Sequence, residues 1–441
     1  MREEIRQMKQ DYETRIRALE QRLQAAQAQP QPVPAAASPA PPAIASAIPE
    51  PAAPSAAAAT SPSAFNPAMS AILGGTYANL SQDPKKYRIQ GFVPGGDEIG
   101  PGSRSFSLGE SELTLSANID PRFAGRLTFA LTPDNSVSVE EAYFQTRDLS
   151  NGLNLKGGRM LSSIGYLNSI HKHAWDFVDA PLAYQAFFGG QYKTDGVQLS
   201  WLAPTERFFE LGAEAGGGGG FPGSDRNKNG VGAAALFAHV GDDVGESASW
   251  RAGLSYLHTR ASDRPYDDLD SAGAGVTNAI SAGANTWILD GVYKWAPNGN
   301  ATRTNFKLQG EYFRRRESGA LTFDATGRSL AGAYASAQSG WYLQGVYQFM
   351  PMWRTGLRYD RLHSGTPDVG LVDSGVLSAA DFPRLASYNP SRVSLMFDYS
   401  PSEFSRLRLQ LAQDKSRPGV TDNEIFLQYI MSLGAHGAHT F

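Results

Sequence analysis

Val197-Gln198-Leu199-Ser200-Trp201-Leu202-Ala203 runs into the turn Pro204-Thr205-Glu206, after which Phe209, Leu211, Ala213 and Ala215 alternate with Glu210, Gly212 and Glu214. A glycine run, residues 216–220, follows. Successive side chains of a strand point to opposite faces, so each stretch has one apolar and one polar face. The same unit recurs along the chain towards Phe441: alternating stretch, tight turn, alternating stretch, then a longer Gly/Asp/Ser-rich loop. Apolar faces turned to lipid and polar faces turned to a wet lumen are the requirement of a transmembrane β-barrel.

Outward from that unit, sixteen strands are expected, at 86–93, 106–119, 122–131, 138–147, 152–160, 193–203, 207–216, 231–240, 248–260, 285–296, 302–315, 339–349, 352–362, 391–400, 404–414 and 423–434. An even number suits a bacterial single-chain barrel. Short connections fall at every second junction: Asp120-Pro121, Asp148 to Asn151, Pro204 to Glu206, Gly241 to Ser247, Pro297 to Asn300, Pro351, and Pro401 to Glu403. These read as periplasmic turns, and 161–192, 261–284, 316–338 and 363–390 as extracellular loops. Phe123, Trp201, Phe208, Trp250, Trp295, Phe349, Trp353, Tyr399 and Phe404 cluster beside the short turns, as an aromatic girdle at one membrane interface would. Ile425, Leu427, Tyr429, Met431, Leu433 and Phe441 share one parity, which fits a closing strand with its apolar side outward.

The chain has 441 residues, no cysteine and a formal charge of −4. Disulfides, thiolate metal sites and cysteine nucleophiles are thereby removed. A near-neutral balance gives no nucleic-acid signal. No run of roughly 20 apolar residues exists, so a helical span is excluded, a test that barrels escape because half of each strand is polar. Met1-Arg2-Glu3-Glu4 opens on a charged helix without an apolar leader core. An outer-membrane protein needs such a leader, so the true start is expected upstream or already trimmed.

Four regions follow. In residues 1–27, Ile5, Met8, Tyr12, Ile16, Leu19 and Leu23 recur at steps of three and four, which predicts a periplasmic coiled-coil helix about 40 Å long at 1.5 Å per residue. Residues 28–64 are almost wholly Ala, Pro, Ser and Gln and read as an extended linker. Residues 65–84 read as a short segment before the barrel or inside it. Residues 85–441 carry the barrel. The expected fold is thus an all-β, 16-stranded antiparallel transmembrane barrel with an N-terminal α-helical coiled coil.

Several stretches carry a resemblance: Ser107-Leu108-Gly109-Glu110-Ser111-Glu112-Leu113, Val139-Glu140-Glu141-Ala142-Tyr143-Phe144, Lys156-Gly157-Gly158-Arg159, and Trp175-Asp176-Phe177-Val178-Asp179-Ala180-Pro181. With them the chain resembles Gram-negative porins. More narrowly, it resembles the phosphate-selective (O/P-type) porins and proteins labelled zinc-regulated outer-membrane receptors. The resemblance implies an outer-membrane channel for small hydrophilic solutes or ions. The alternatives are uptake of zinc or another divalent metal, and a structural tether between envelope components. It also implies a homotrimer, surrounding bilayer lipid and lipopolysaccharide, and insertion by the barrel-assembly machinery. The second group is often called TonB-dependent, but a 22-stranded transporter with a plug needs a longer chain than residues 85–441.

Parity assigns Arg126, Glu141, Lys156, Glu210, Glu214, Arg251, Asp290, Lys294, Arg354, Arg358, Arg392, Arg406 and Arg408 to the lumen, a wall charged with both signs. Lys307, Glu112 and Glu311 share that parity. The loop 161–192 is expected to fold inward as a constriction, with His171, His173, Trp175, Asp176 and Asp179 at its centre. His171, His173, Asp176 and Asp179 are also the candidate zinc ligands, because imidazole and carboxylate both suit a divalent transition metal. The spacing is not a standard metal motif, and a purely polar constriction is the competing reading. His436 and His439 form a second pair. Gly216 to Gly220 is no phosphate cradle, because no Lys-Ser/Thr follows. Asp225 to Gly230 lacks the downstream Glu and two of the acidic ligands of a calcium loop. No Ser-His-Asp arrangement can be singled out, so no enzymatic activity is expected.

Overall fold

The computed structural model describes residues 67–434 apart from residues 97, 110, 133–135 and 148. The coiled coil expected at 1–27, the linker 28–64 and the pair His436 and His439 lie outside the described residues.

One antiparallel sheet closes on itself as a barrel. The strand Ala68–Leu80 pairs with the last strand, Val420–Gly434, in the register Thr76↔Gln428. On its other side it pairs with Ser105–Leu108 and Ser111–Asn118. Those two segments are one barrel strand interrupted near Gly109, where a Cβ would stand 2.9 Å from the Gly74 carbonyl carbon. With Phe123–Leu131, Val137–Thr146, Leu153–Leu161, Lys193–Leu202, Phe208–Gly216, Ala233–Val244, Ala248–Leu269, Gly275–Trp295, Asn305–Phe323, Leu330–Met350, Trp353–His363, Ser391–Ser402 and Ser405–Arg417, the barrel has sixteen strands.

The expected number holds, but its first member does not. The barrel opens at Ala68–Leu80, inside the segment assigned to 65–84, and the strand expected at 86–93 is not one. Ala68–Leu80 is rich in small residues and its inward face carries Ser70, Ile72, Thr76, Ala78 and Leu80 with no charge, so it lacks the charged alternation of its neighbours. Residues 86–93 instead run irregularly through the interior. Gln90 donates its backbone N–H to the Ser416 carbonyl at 3.0 Å, and Phe92 sits edge-on to Phe187 at 5.8 Å.

The loops expected at 261–284 and 316–338 are mostly strand. Ala248–Leu269, Gly275–Trp295, Asn305–Phe323 and Leu330–Met350 form a tall wall of paired strands. Their upper halves carry many Ala, Gly and Ser, for example Ser281 to Ala284 and Ser318 to Ala320, and their large apolar side chains Ile280, Leu321 and Phe323 are buried inside. Two hairpins that leave the lipid zone need no lipid-facing apolar residues, so the pattern that marks a membrane strand fades there.

Two rings of aromatics mark the outward face. Trp353 lies against Tyr399, with ring centroids 4.6 Å apart, beside the short turns. Six residues further along the same strand, Tyr359 lies 5.5 Å from Trp341, and Tyr256 lies 4.8 Å from Trp287. At ~3.3 Å per residue the two rings stand about 20 Å apart along the strand. Between them, leucines such as Leu254, Leu289, Leu343 and Leu357 are exposed. A band of exposed leucine between aromatic girdles is the surface that a bilayer covers.

The interior is filled from three places: residues 84–104, 161–192 and 364–390. The helix Leu182–Phe188 is wholly buried within the barrel. Asp360 accepts from the backbone N–H of Leu182 at 2.9 Å, which satisfies one of the free donors at its start. It ends on Gly189 at φ 69°, a left-handed cap suited to glycine. Phe187 stacks on the inward Phe313 with centroids 5.6 Å apart and planes 9° apart. Ile288, Tyr342, Leu257 and Leu362 complete an apolar patch on the inner wall, and that patch is what lets a helix rest in an otherwise charged lumen.

Candidate functional site

The inward segment 161–192 crosses the barrel between two walls of opposite charge. One wall is acidic. Glu112 and Glu141 point inward from their strands. Between Val137 and Thr146 the register slips by one residue, with Thr128 opposite Glu141 and Phe129 opposite Val139. The extra residue is Glu140, so a β-bulge turns two consecutive glutamates the same way. Both are buried. His171 and His173 lie against these carboxylates with stacked rings 5.7 Å apart. Nδ1 of His173 is 2.8 Å from Glu112, and Nδ1 of His171 is 3.3 Å from Glu112 and 3.2 Å from Glu140. Nε2 of His171 is 3.0 Å from Glu141, which also faces Arg126 at 3.4 Å. Burial opposes charge on His171, but Glu112 and then Glu140 and Glu141 outweigh it and hold the imidazole pKa well above its ordinary value.

The opposite wall is basic. Asp176 meets Lys307 and, at 3.4 Å, Arg354. Asp179 meets Arg358 at 2.8 Å and Arg392 at 2.6 Å. Arg358 and Arg392 also grip the strap's backbone, donating to the carbonyls of Asp179 and Ala180 at 2.8 Å and 2.6 Å. Arg406 donates to the carbonyl of His173. Burial works against both aspartates, yet Lys307 followed by Arg354 lowers Asp176, and Arg392 followed by Arg358 brings Asp179 down to about 2.

Two further acidic side chains hold the strap along its length. Glu214 accepts from the Ser162 hydroxyl at 2.6 Å and the Ser163 backbone at 2.9 Å. Glu311 accepts from the backbones of Tyr166 and Leu167 at 3.2 Å and 3.0 Å, and from the hydroxyls of Tyr184 and Tyr342 at 2.9 Å and 2.6 Å. The loop expected to turn inward does so, with Trp175, Phe177, Phe187 and Phe188 buried.

The residues assigned to the lumen by parity all face inward, but they serve different purposes. Arg358, Arg392, Arg406 and Arg408 are buried and hold the strap or one another's partners. Arg408, for instance, is bound to Asp398 at 2.7 Å. Glu210 pairs with His239 at 3.0 Å. Lys156 lies over the Tyr143 ring at 4.7 Å. Arg251, Lys294, Lys307 and Arg354 keep partial exposure towards the short-turn end, whereas Asp176, Asp290, Asp398 and Glu311 among them are buried.

The four residues expected to share a metal are not brought together. His171 and His173 go to the acidic wall, and Asp176 and Asp179 to the arginines opposite. A carboxylate a few residues along the loop is drawn to the nearest guanidinium rather than to an imidazole already facing three glutamates. Glu112 and Glu140 were missing from the expected ligand set. The one local signal for Glu140 was the adjacent pair Glu140-Glu141 within an otherwise alternating strand.

This interior, a charged wall crossed by an inward strap, belongs to a closed barrel with the fold of outer-membrane proteins. A loop L8 deletion mutant of OmpT, an outer membrane protein of Vibrio cholerae, superposes with a TM-score of 0.51 at 12% identity, covering 83% of this chain and 98% of that one. In-vitro folded OmpT in its trimer form gives 0.51 at 11% identity, over 83% and 98%. OprB of Pseudomonas putida gives 0.50 at 14%, over 83% and 94%. At such identities the likeness is one of fold. No protein-family profile matches the chain. The chain belongs to one family with a protein of Aquifex aeolicus (strain VF5) that bears the name "Uncharacterized protein"; the two are 32% identical over 360 residues, 77% of this chain and 70% of the relative.

Proposed function

We propose that the chain is an outer-membrane channel of a Gram-negative bacterium, through which small hydrophilic solutes or ions diffuse past the strap 161–192. The observation that carries this reading is the two-faced wall: exposed leucine between aromatic girdles outside, and charged side chains on most inward faces. Arg251, Lys294, Lys307 and Arg354 keep partial exposure at the short-turn end of the lumen, where the acids Asp176, Asp290, Asp398 and Glu311 are buried. The permeant class is therefore anionic, with inorganic phosphate among the solutes to be tried first. Divalent-metal uptake is the weaker reading, because His173 and Glu112 are wedged between strap and wall instead of standing along an open path. Fusion to lipid membranes, conductance across a planar bilayer and reversal potential in a salt gradient test the channel. A correctly folded protein that conducts nothing would sink the proposal. We further propose a homotrimer, its apolar stripe from Ile5 to Leu23 seeking partners. Native mass spectrometry of the full chain, with and without residues 1–27, reads the oligomer, and a monomeric full chain rejects it.

A further inference from the structure

We propose that Glu112, His171 and His173, with Glu140 as fourth ligand, bind a divalent transition-metal ion that clips the strap to the barrel wall. One donor atom from each of Glu112, His171 and His173 lies within 4.8 Å of the others. A tetrahedral ion with bonds of ~2.0–2.1 Å sets its ligands roughly 3.4 Å apart. Nδ1 of His171 lies 3.3 Å from Oε2 of Glu112 and 3.2 Å from Glu140, near that spacing, and Nδ1 of His173 lies 2.8 Å from the other oxygen of Glu112, so a small shift of the Glu112 carboxylate completes the set.

Two features separate this cluster from ordinary ion pairs. First, carboxylate oxygens of Glu112 and Glu140 converge on one atom, Nδ1 of His171. A single N–H satisfies only one of two acceptors, whereas a cation on that nitrogen satisfies both. Second, the other nitrogen of the same ring, Nε2, faces Glu141 at 3.0 Å, and Glu141 is itself held by Arg126 at 3.4 Å. A carboxylate that accepts from the far nitrogen of a ligating histidine fixes its tautomer and orientation, which is the outer-shell arrangement of metal-bound imidazole. The donor set of two imidazoles and two carboxylates suits zinc, cobalt or nickel and is too nitrogen-rich for calcium or magnesium.

The ion would join residues that the chain holds far apart. Glu112 and His173 are 61 positions distant in sequence. With Asp176 and Asp179 fixed on the opposite wall, the metal would secure the second end of the crossing.

The test uses the full chain in detergent, stripped with a chelator and titrated with Co²⁺ alone, whose visible spectrum reports tetrahedral coordination. One Co²⁺ per chain with tetrahedral bands is expected. His171→Ala/His173→Ala should abolish the bands. Glu112→Gln should weaken binding about tenfold or more, and Glu141→Gln should weaken it by about 10–100-fold while keeping the tetrahedral spectrum. His436→Ala/His439→Ala, which alters the other histidine pair, should bind as the unaltered chain does. Barrel circular dichroism confirms that each variant is folded. A folded unaltered chain that takes up no Co²⁺ overturns the proposal, as does equal uptake by the His171→Ala/His173→Ala variant. Because the readout is metal on a folded chain, it is independent of whether the barrel conducts.

Discussion

The guanidinium of Arg358 donates to the carboxylate of Asp179 across 2.8 Å, although 179 positions separate the two in sequence. Eight residues upstream on the same strap, His171 lies 3.0 Å from Glu141 on the opposing wall. A short length of chain is thus tied at both ends by opposite charges. Its place in the lumen follows from the sign of the wall that each end meets.

Removing the crossing should widen the passage. Deleting residues 168–180 is expected to raise single-channel conductance while the barrel strands, which end at Leu161 and resume at Lys193, still close. Unchanged conductance in a folded variant would mean that solutes do not pass the strap.

Acid should release the basic-wall end. Asp179 has its carboxyl lowered to about 2, so its ionised form is favoured by folding. Stability from this group is complete above the ordinary aspartate value near ~3.9 and is lost as pH falls through about 2. Trp175, buried in the strap, should report this as a fluorescence change between about pH 4 and pH 2. In Asp179→Asn the step attributable to this group should be absent. A Trp175 signal that moves at pH 5 to 6 instead would refute the assignment.

The partly exposed cations at the short-turn end should set selectivity. Reversal potentials in a potassium chloride gradient should show anion preference in the unaltered chain. Lys307→Glu/Arg354→Glu should shift the potential towards cations. Asp176 would then lose both of its cationic partners and keep only Gln344, so a spectroscopic check of folding accompanies the measurement. Identical selectivity in the folded double variant would place the permeation path elsewhere.

Glu311 should be the most costly single anchor to lose. Glu311→Ala removes the acceptor for two backbone N–H groups and two tyrosine hydroxyls. Each buried donor left unsatisfied costs roughly 1–3 kcal/mol. Detachment of the strap should appear as rapid proteolysis within 161–192 while the barrel remains resistant. Unaltered protection would show that Phe187 on Phe313 and the arginine clamps suffice.

The sequence by itself determined the barrel, the even number of strands, the side on which short turns fall and the inward parity of the charged residues. Alternation is a local property, read off five or six neighbouring side chains that must satisfy lipid on one side and water on the other. It failed where that constraint is absent. Ala68–Leu80 has an uncharged inner face, and the upper halves of the tall strands lie beyond the outer aromatic girdle. What only the tertiary structure decided is which charges meet. His171, Asp176 and Asp179 look like one ligand set in the sequence because they are neighbours along the chain. Closing the barrel brings Glu112, Glu140 and Glu141 to one end of the strap and Lys307, Arg354, Arg358 and Arg392 to the other. Charges at short range in a poorly hydrated interior then sort by partner and not by sequence distance. Even the inward turn of Glu140 depends on a slip in strand register, which exists only once the two strands are paired.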